Sequence, residues 1–163
     1  LTGEVKIREC PVMNNNHLRN GIQQFMGAIG GAGCYALCLV DVAMEFAAEN
    51  GSPCYPDIIA NLYAGCDLGF IYFNKDDPAD DGNMYVKDPA AFLSLLTGKV
   101  WQVRKEYDLS YVPKTGEYVI KRYERTATGR TIGHFERDEF HPIRNSLTVL
   151  KGKPVSLRIC KVL

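Results

Sequence analysis

Between Cys34 and Glu49 the chain is apolar in almost every direction around a helical axis. Leu37, Leu39, Val40, Val42, Met44 and Phe46 cover most of the surface, and the polar exception is a stripe of Asp41, Glu45 and Glu49, spaced four apart. Such a segment belongs in the middle of a domain rather than on its surface. Asn50-Gly51 supplies its C-terminal stop. Two shorter helices follow. One runs from Pro56 to Ala64, with proline in its first turn and Gly65 as its stop. The other has Asp88 as N-cap, Pro89 at the first position, Phe92, Leu93, Leu95 and Leu96 as its apolar residues, and Gly98 as its close.

From Lys99 the pattern changes to alternation. Lys99 to Tyr107 carries Trp101 and Val103 on one face, and Glu117 to Arg125 with Thr131 to Phe140 read as a hairpin turning at Thr128-Gly129. Val155, Leu157 and Ile159 alternate in a final strand after the turn at Lys151-Gly152-Lys153. Helices first and antiparallel strands afterwards make an α+β pattern. Between the shorter helices, Asn74 to Asn83 holds Asp76, Asp77, Asp80 and Asp81, but the spacing is not that of an EF-hand and no glutamate completes one. It reads as a solvated acidic loop.

The chain has 163 residues, the size of one domain, and residues 1–163 are read as a single unit with a helical half over about 20–98 and a β half over about 99–163. A domain of this size buries roughly two-thirds of its unfolded surface and needs no staples. Nineteen basic residues balance nineteen acidic ones, so charge points to neither a nucleic-acid nor a membrane partner. The longest apolar run, Tyr35 to Val40, is too short to span a bilayer, and no signal peptide is visible, although Leu1 is not an initiator residue. Five of the six cysteines, Cys34, Cys38, Cys54, Cys66 and Cys160, sit in or beside apolar sequence and none lies in a CxxC pair. They read as buried free thiols of a reducing compartment, against a disulfide framework or a zinc site using Cys34, Cys38 and a histidine. No metal or cofactor is expected.

Cys34 is the residue best placed for chemistry. It follows Gly31-Ala32-Gly33 and begins the buried helix, where the dipole and unpaired N–H groups favour thiolate. A thiol nucleophile needs a base, and the chain has three histidines. His17 lies in a polar asparagine-rich stretch. His134, in Thr131-Ile132-Gly133-His134-Phe135, sits on a predicted strand with a small neighbour beside it, and His141 precedes Pro142. A helix-start cysteine with a strand histidine about a hundred residues downstream fits a cysteine hydrolase.

Gly33-Cys34-Tyr35-Ala36-Leu37-Cys38, opening a long buried helix, and Gly133-His134-Phe135 on a late strand resemble the two halves of a papain-like, C39-like cysteine peptidase core. The stretches Asp88-Pro89 to Leu96 and Trp101 to Lys105, the Gly129 hairpin and His141-Pro142-Ile143-Arg144-Asn145-Ser146 add to the likeness. Together they are similar to a poorly characterised family of small bacterial and phage proteins of that fold. The resemblance covers roughly residues 20–160.

It implies a helix packed on a C-terminal antiparallel sheet, with Cys34 as nucleophile and His134 as general base, their side chains within about 4 Å. It also implies a third group that orients the imidazole. Where relatives carry an aspartate or asparagine before a proline, this chain has His141 before Pro142, so the third member is His141 or Asn145. Asp138 lies on the same strand face as His134 but about 13 Å away along an unbroken strand. The oxyanion hole would use the Cys34 N–H and a glutamine, Gln24 in preference to Gln23. The expected activity is hydrolysis or acyl transfer at an amide of a peptide, an isopeptide or a peptidoglycan stem through a Cys34 thioester. The alternative is an inactive interaction module of the same fold, phage-derived. The expected location is the cytoplasm, or release or injection from a bacterial cell.

Overall fold

The first long element, α1 (Cys34–Glu49), has the bounds its apolar pattern predicts. A computed structural model of the chain describes Phe25, Gly27 and Ile29 and residues 33–51, 57–74, 83–127, 129–137 and 152–163. Leu39 and Val42 of α1 are completely buried, which is where an all-round apolar helix must go. Helix α2 (Ile58–Asp67) differs from expectation at both ends. Asp57, in extended conformation, accepts a hydrogen bond from the Ala60 N–H at 3.0 Å, so the helix begins after Asp57 rather than at Pro56, which lies outside the described residues. Gly65 does not stop it. A Cβ at Gly65 would lie 2.8 Å from Ile71 Cδ1 and 3.1 Å from the Phe92 ring, so this glycine permits close packing inside the helix.

A hairpin that alternation did not reveal follows: β1 (Ile71–Asn74) pairs antiparallel with β2 (Asn83–Val86), with Tyr72 opposite Tyr85 and Phe73 opposite Met84. The acidic loop is the connection between them, and residues 75–82 lie outside the described set. Helix α3 (Pro89–Thr97) has the predicted ends, with Asp88 accepting from the Ala91 N–H at 2.9 Å and Gly98 in the left-handed conformation.

Four strands make the second sheet: β3 (Trp101–Glu106), β4 (Glu117–Ala127), β5 (Arg130–Glu136) and β6 (Lys153–Val162). Their order is β3-β6-β4-β5, all antiparallel, so among the described residues β3 and β5 are the edges. Strand β5 ends at Glu136, where Arg137 bends out of the ladder, and residues 138–140 of the predicted run lie outside the described residues. The described chain is therefore α+β with three full helices and two antiparallel sheets.

Helix α1 lies against one face of the four-stranded sheet. Phe46 meets Trp101 edge-to-face at 5.2 Å, and Tyr35 stacks on Phe135 at 4.2 Å with the rings 14° apart. The acidic stripe of α1 also faces the sheet. Arg137 donates from Nε to Asp41 at 3.0 Å, from a second nitrogen to Glu45, and from a third to the Val119 carbonyl, while the Tyr118 hydroxyl donates to Glu49. Three acids that a helical wheel would place in water instead bind the helix to β4 and to the end of β5.

Candidate active site

Cys34 is the first residue of α1, and Gly33 before it supplies no side-chain cap. The sulfur therefore faces the open first turn, where its own and the Tyr35 N–H stabilise its thiolate. The N–H of Phe135 is a further donor to the sulfur. Burial is the larger influence and raises the thiol above its ordinary value of 9.0, with the Glu136 carboxylate pushing the same way. The resting Cys34 is thus a thiol. The N–H groups at the helix start do pull toward the thiolate, and burial outweighs them.

The position of the sulfur follows from strand geometry. Phe135 turns its ring to Tyr35 on the α1 side. Side chains alternate along a strand, so His134 and Glu136 project from the opposite face. Because β5 is an edge strand, every second N–H points away from β4. Cys34 sits against one of these, that of Phe135, where the two faces of the sheet meet.

His134 and Glu136 share a face and touch. Nε2 of His134 lies 3.2 Å from Oε1 of Glu136, with the imidazole 14% exposed and the carboxylate 2%. The hydrogen-bond partner of His134 is therefore Glu136, and that of the Cys34 sulfur is the neighbouring backbone. Among the described residues no hydrogen bond joins the thiol to the imidazole. The structure brings Cys34 to the strand segment that carries His134, with the sulfur meeting the backbone of Phe135.

Glu136 is the residue that sequence reasoning missed. Its signal was simple: an acid two positions after a strand histidine projects from the same face, within reach, whereas Asp138 at four positions is not. His141, Asn145 and Asp138, considered for the third position, lie outside the described residues, as do Gln24, Gln23 and His17. Cys38, one turn further along α1, is buried and its thiol is raised well above the usual range by burial. Cys34, Cys38, Cys66 and Cys160 are all free. Among the described residues no group of three or more His, Cys, Asp and Glu side chains converges as a metal site would, and no helix is long and apolar enough to cross a membrane. No protein-family model, no curated protein and no solved structure matches the chain.

Proposed function

We propose that the protein is a papain-like cysteine hydrolase acting on an amide, with Cys34 as nucleophile, His134 as general base and Glu136 as the group that holds the imidazole. The observation that carries this reading is the placement of a helix-start thiol against the backbone of the strand whose adjacent residues form a His134–Glu136 pair. With Nε2–H donated to Glu136, Nδ1 is the nitrogen left to take a proton, and the carboxylate stabilises the imidazolium that results.

Because burial keeps Cys34 protonated at rest, its proton leaves as the sulfur attacks. His134 accepts that proton while the C–S bond forms, and the Cys34 N–H stabilises the oxyanion. His134 then protonates the departing amine as the C–N bond breaks. Water, deprotonated by His134, hydrolyses the thioester and restores the thiol. The substrate amide belongs to a peptide, an isopeptide or a peptidoglycan stem.

A second reading, an inactive interaction module of the same fold, draws on the raised pKa of Cys34 and on its lack of a hydrogen bond to His134. An active-site thiol probe separates them. Labelling of Cys34 ahead of the other cysteines, slowed by replacing His134, is expected of the hydrolase; equal labelling in both forms is the result that sinks it.

A further inference from the structure

The chain is neutral overall, but its charges are segregated. Along α1 the acids face Arg137 and Tyr118. Elsewhere on the same sheet face, register places three cations on adjoining strands. Lys105 of β3 lies opposite Arg158 of β6, and Arg122 of β4 lies opposite Ser156 and Phe135. The guanidinium carbons of Arg122 and Arg158 are 5.9 Å and 5.5 Å from the Phe135 ring centroid. Phe135 is also the residue whose N–H meets the Cys34 sulfur.

The two arginines are differently engaged. Arg122 holds Glu124 at 2.7 Å. Arg158 donates to the Ser156 hydroxyl at 3.0 Å and to the Leu157 carbonyl at 3.1 Å, and among the described residues no carboxylate meets it. A half-buried guanidinium with donors to spare suits a planar pair of oxygens. The Tyr35 hydroxyl is buried within hydrogen-bonding reach of Arg158, and among the described residues its own proton meets no acceptor. A buried hydroxyl in that state is costly, and an arriving acceptor would satisfy it. Gly133 lets the Arg122 side chain lie across β5, since a Cβ there would stand 3.2 Å from Arg122 Nη2.

We propose that Arg158, with Arg122 and the Tyr35 hydroxyl, forms a carboxylate-binding subsite beside Cys34. The scissile amide of the substrate then has a free carboxylate close by. Arg122 is already paired with Glu124, which leaves Arg158 as the guanidinium whose planar fork can meet the two coplanar oxygens of a carboxylate. The subsite rests on the reading of Cys34 as nucleophile, and two measurements keep their failures apart.

The first is calorimetric titration of the Cys34→Ala protein with succinate at low salt, which needs no thiol. Binding is expected, and Arg158→Gln should weaken it on the order of tenfold, with Arg158→Lys restoring only part because lysine lacks the planar fork. Arg122→Gln serves if Arg158→Gln does not fold. No binding, binding unaffected by these variants, or inorganic phosphate binding as tightly as succinate overturns the subsite. The second compares Cys34 alkylation by iodoacetate and by neutral iodoacetamide. The anionic reagent should be favoured, and Arg158→Gln should remove the preference, read as the ratio of the two rates. Rapid labelling with no preference overturns the subsite and leaves the hydrolase standing. Succinate binding with an inert Cys34 supports the anion site and removes the hydrolase, and with it the site's role beside a nucleophile.

Discussion

His134 Nε2 and Glu136 Oε1 are 3.2 Å apart on one face of an edge strand, and the carboxylate is almost completely enclosed. The carboxylate holds the imidazole in one orientation. Replacing Glu136 by Gln keeps the shape and removes the charge. We expect Glu136→Gln and His134→Gln each to slow Cys34 alkylation at neutral pH on the order of tenfold or more. Mass-spectrometric labelling rates for Cys34 give the readout, and an unchanged rate in both variants would show the pair to be purely structural.

The raised pKa of Cys34 has its own consequence for pH dependence. Its labelling by iodoacetamide should climb steadily with pH and continue past the ordinary thiol value of 9.0, with no plateau near neutrality. A plateau with a midpoint well below that value would instead reveal a standing thiolate–imidazolium pair.

Stability against alkali follows from the same physics. Burial raises Cys160 from 9.0 to about 12 and pushes Cys34 and Cys38 in the same direction. The folded protein holds these protons after the unfolded chain has released them. Stability is therefore full below about pH 9 and falls as pH rises from there toward about 12. Each such thiol removes up to about 1.4 kcal/mol per pH unit in that window. Urea unfolding between pH 8 and 11, expected to show a shallower decline in Cys160→Ala despite its lower starting stability, checks the sign.

Arg137 joins Asp41, Glu45 and the Val119 carbonyl, and its side chain is only 7% exposed. Arg137→Ala should cost about 3 kcal/mol in urea unfolding, since it withdraws the cation facing two partly buried acids. Arg137→Lys should recover less than half of that, because an ammonium cannot make three divergent contacts in one plane. A loss below about 0.5 kcal/mol, typical of surface pairs, would mean that the clamp is not formed in solution.

Much of this architecture was legible because local chemistry and tertiary demand agree. Helix α1 has no direction in which to be a surface helix, and α3 carries both an aspartate cap and a closing glycine, so their bounds follow from residues alone. Where the two levels diverge, the pattern misleads. Gly65 looks like a stop, yet it is there to admit Ile71 and Phe92. The β1–β2 hairpin has strands of only four residues, too short for alternation to stand out beside an aspartate-rich connection. The site was legible as residue types, a thiol at a helix start and a histidine on a strand. Its geometry was not, because the sign of the Cys34 shift depends on how deeply that helix start is enclosed. Glu136 does not stand out in the sequence, because the acid or amide that the resemblance implies lies further downstream, toward Asp138, His141 and Asn145.

The strand order β3-β6-β4-β5 has a meaning in time as well as in space. During synthesis β3 emerges long before β6, the strand it pairs with, and β6, the last of the strands, is also the segment that joins it to β4. The β4–β5 hairpin can form as soon as its turn is made, but until Lys153–Val162 leaves the ribosome it faces β3 across an unfilled slot. A nascent chain in that interval exposes two open strand edges together with Trp101 and Ile120, which the folded domain buries. That is the condition in which pairing with a neighbouring chain competes with folding. Pausing of translation just before Lys153 is therefore expected to favour aggregation, whereas pausing before Trp101, when neither strand edge has been made, leaves no such gap.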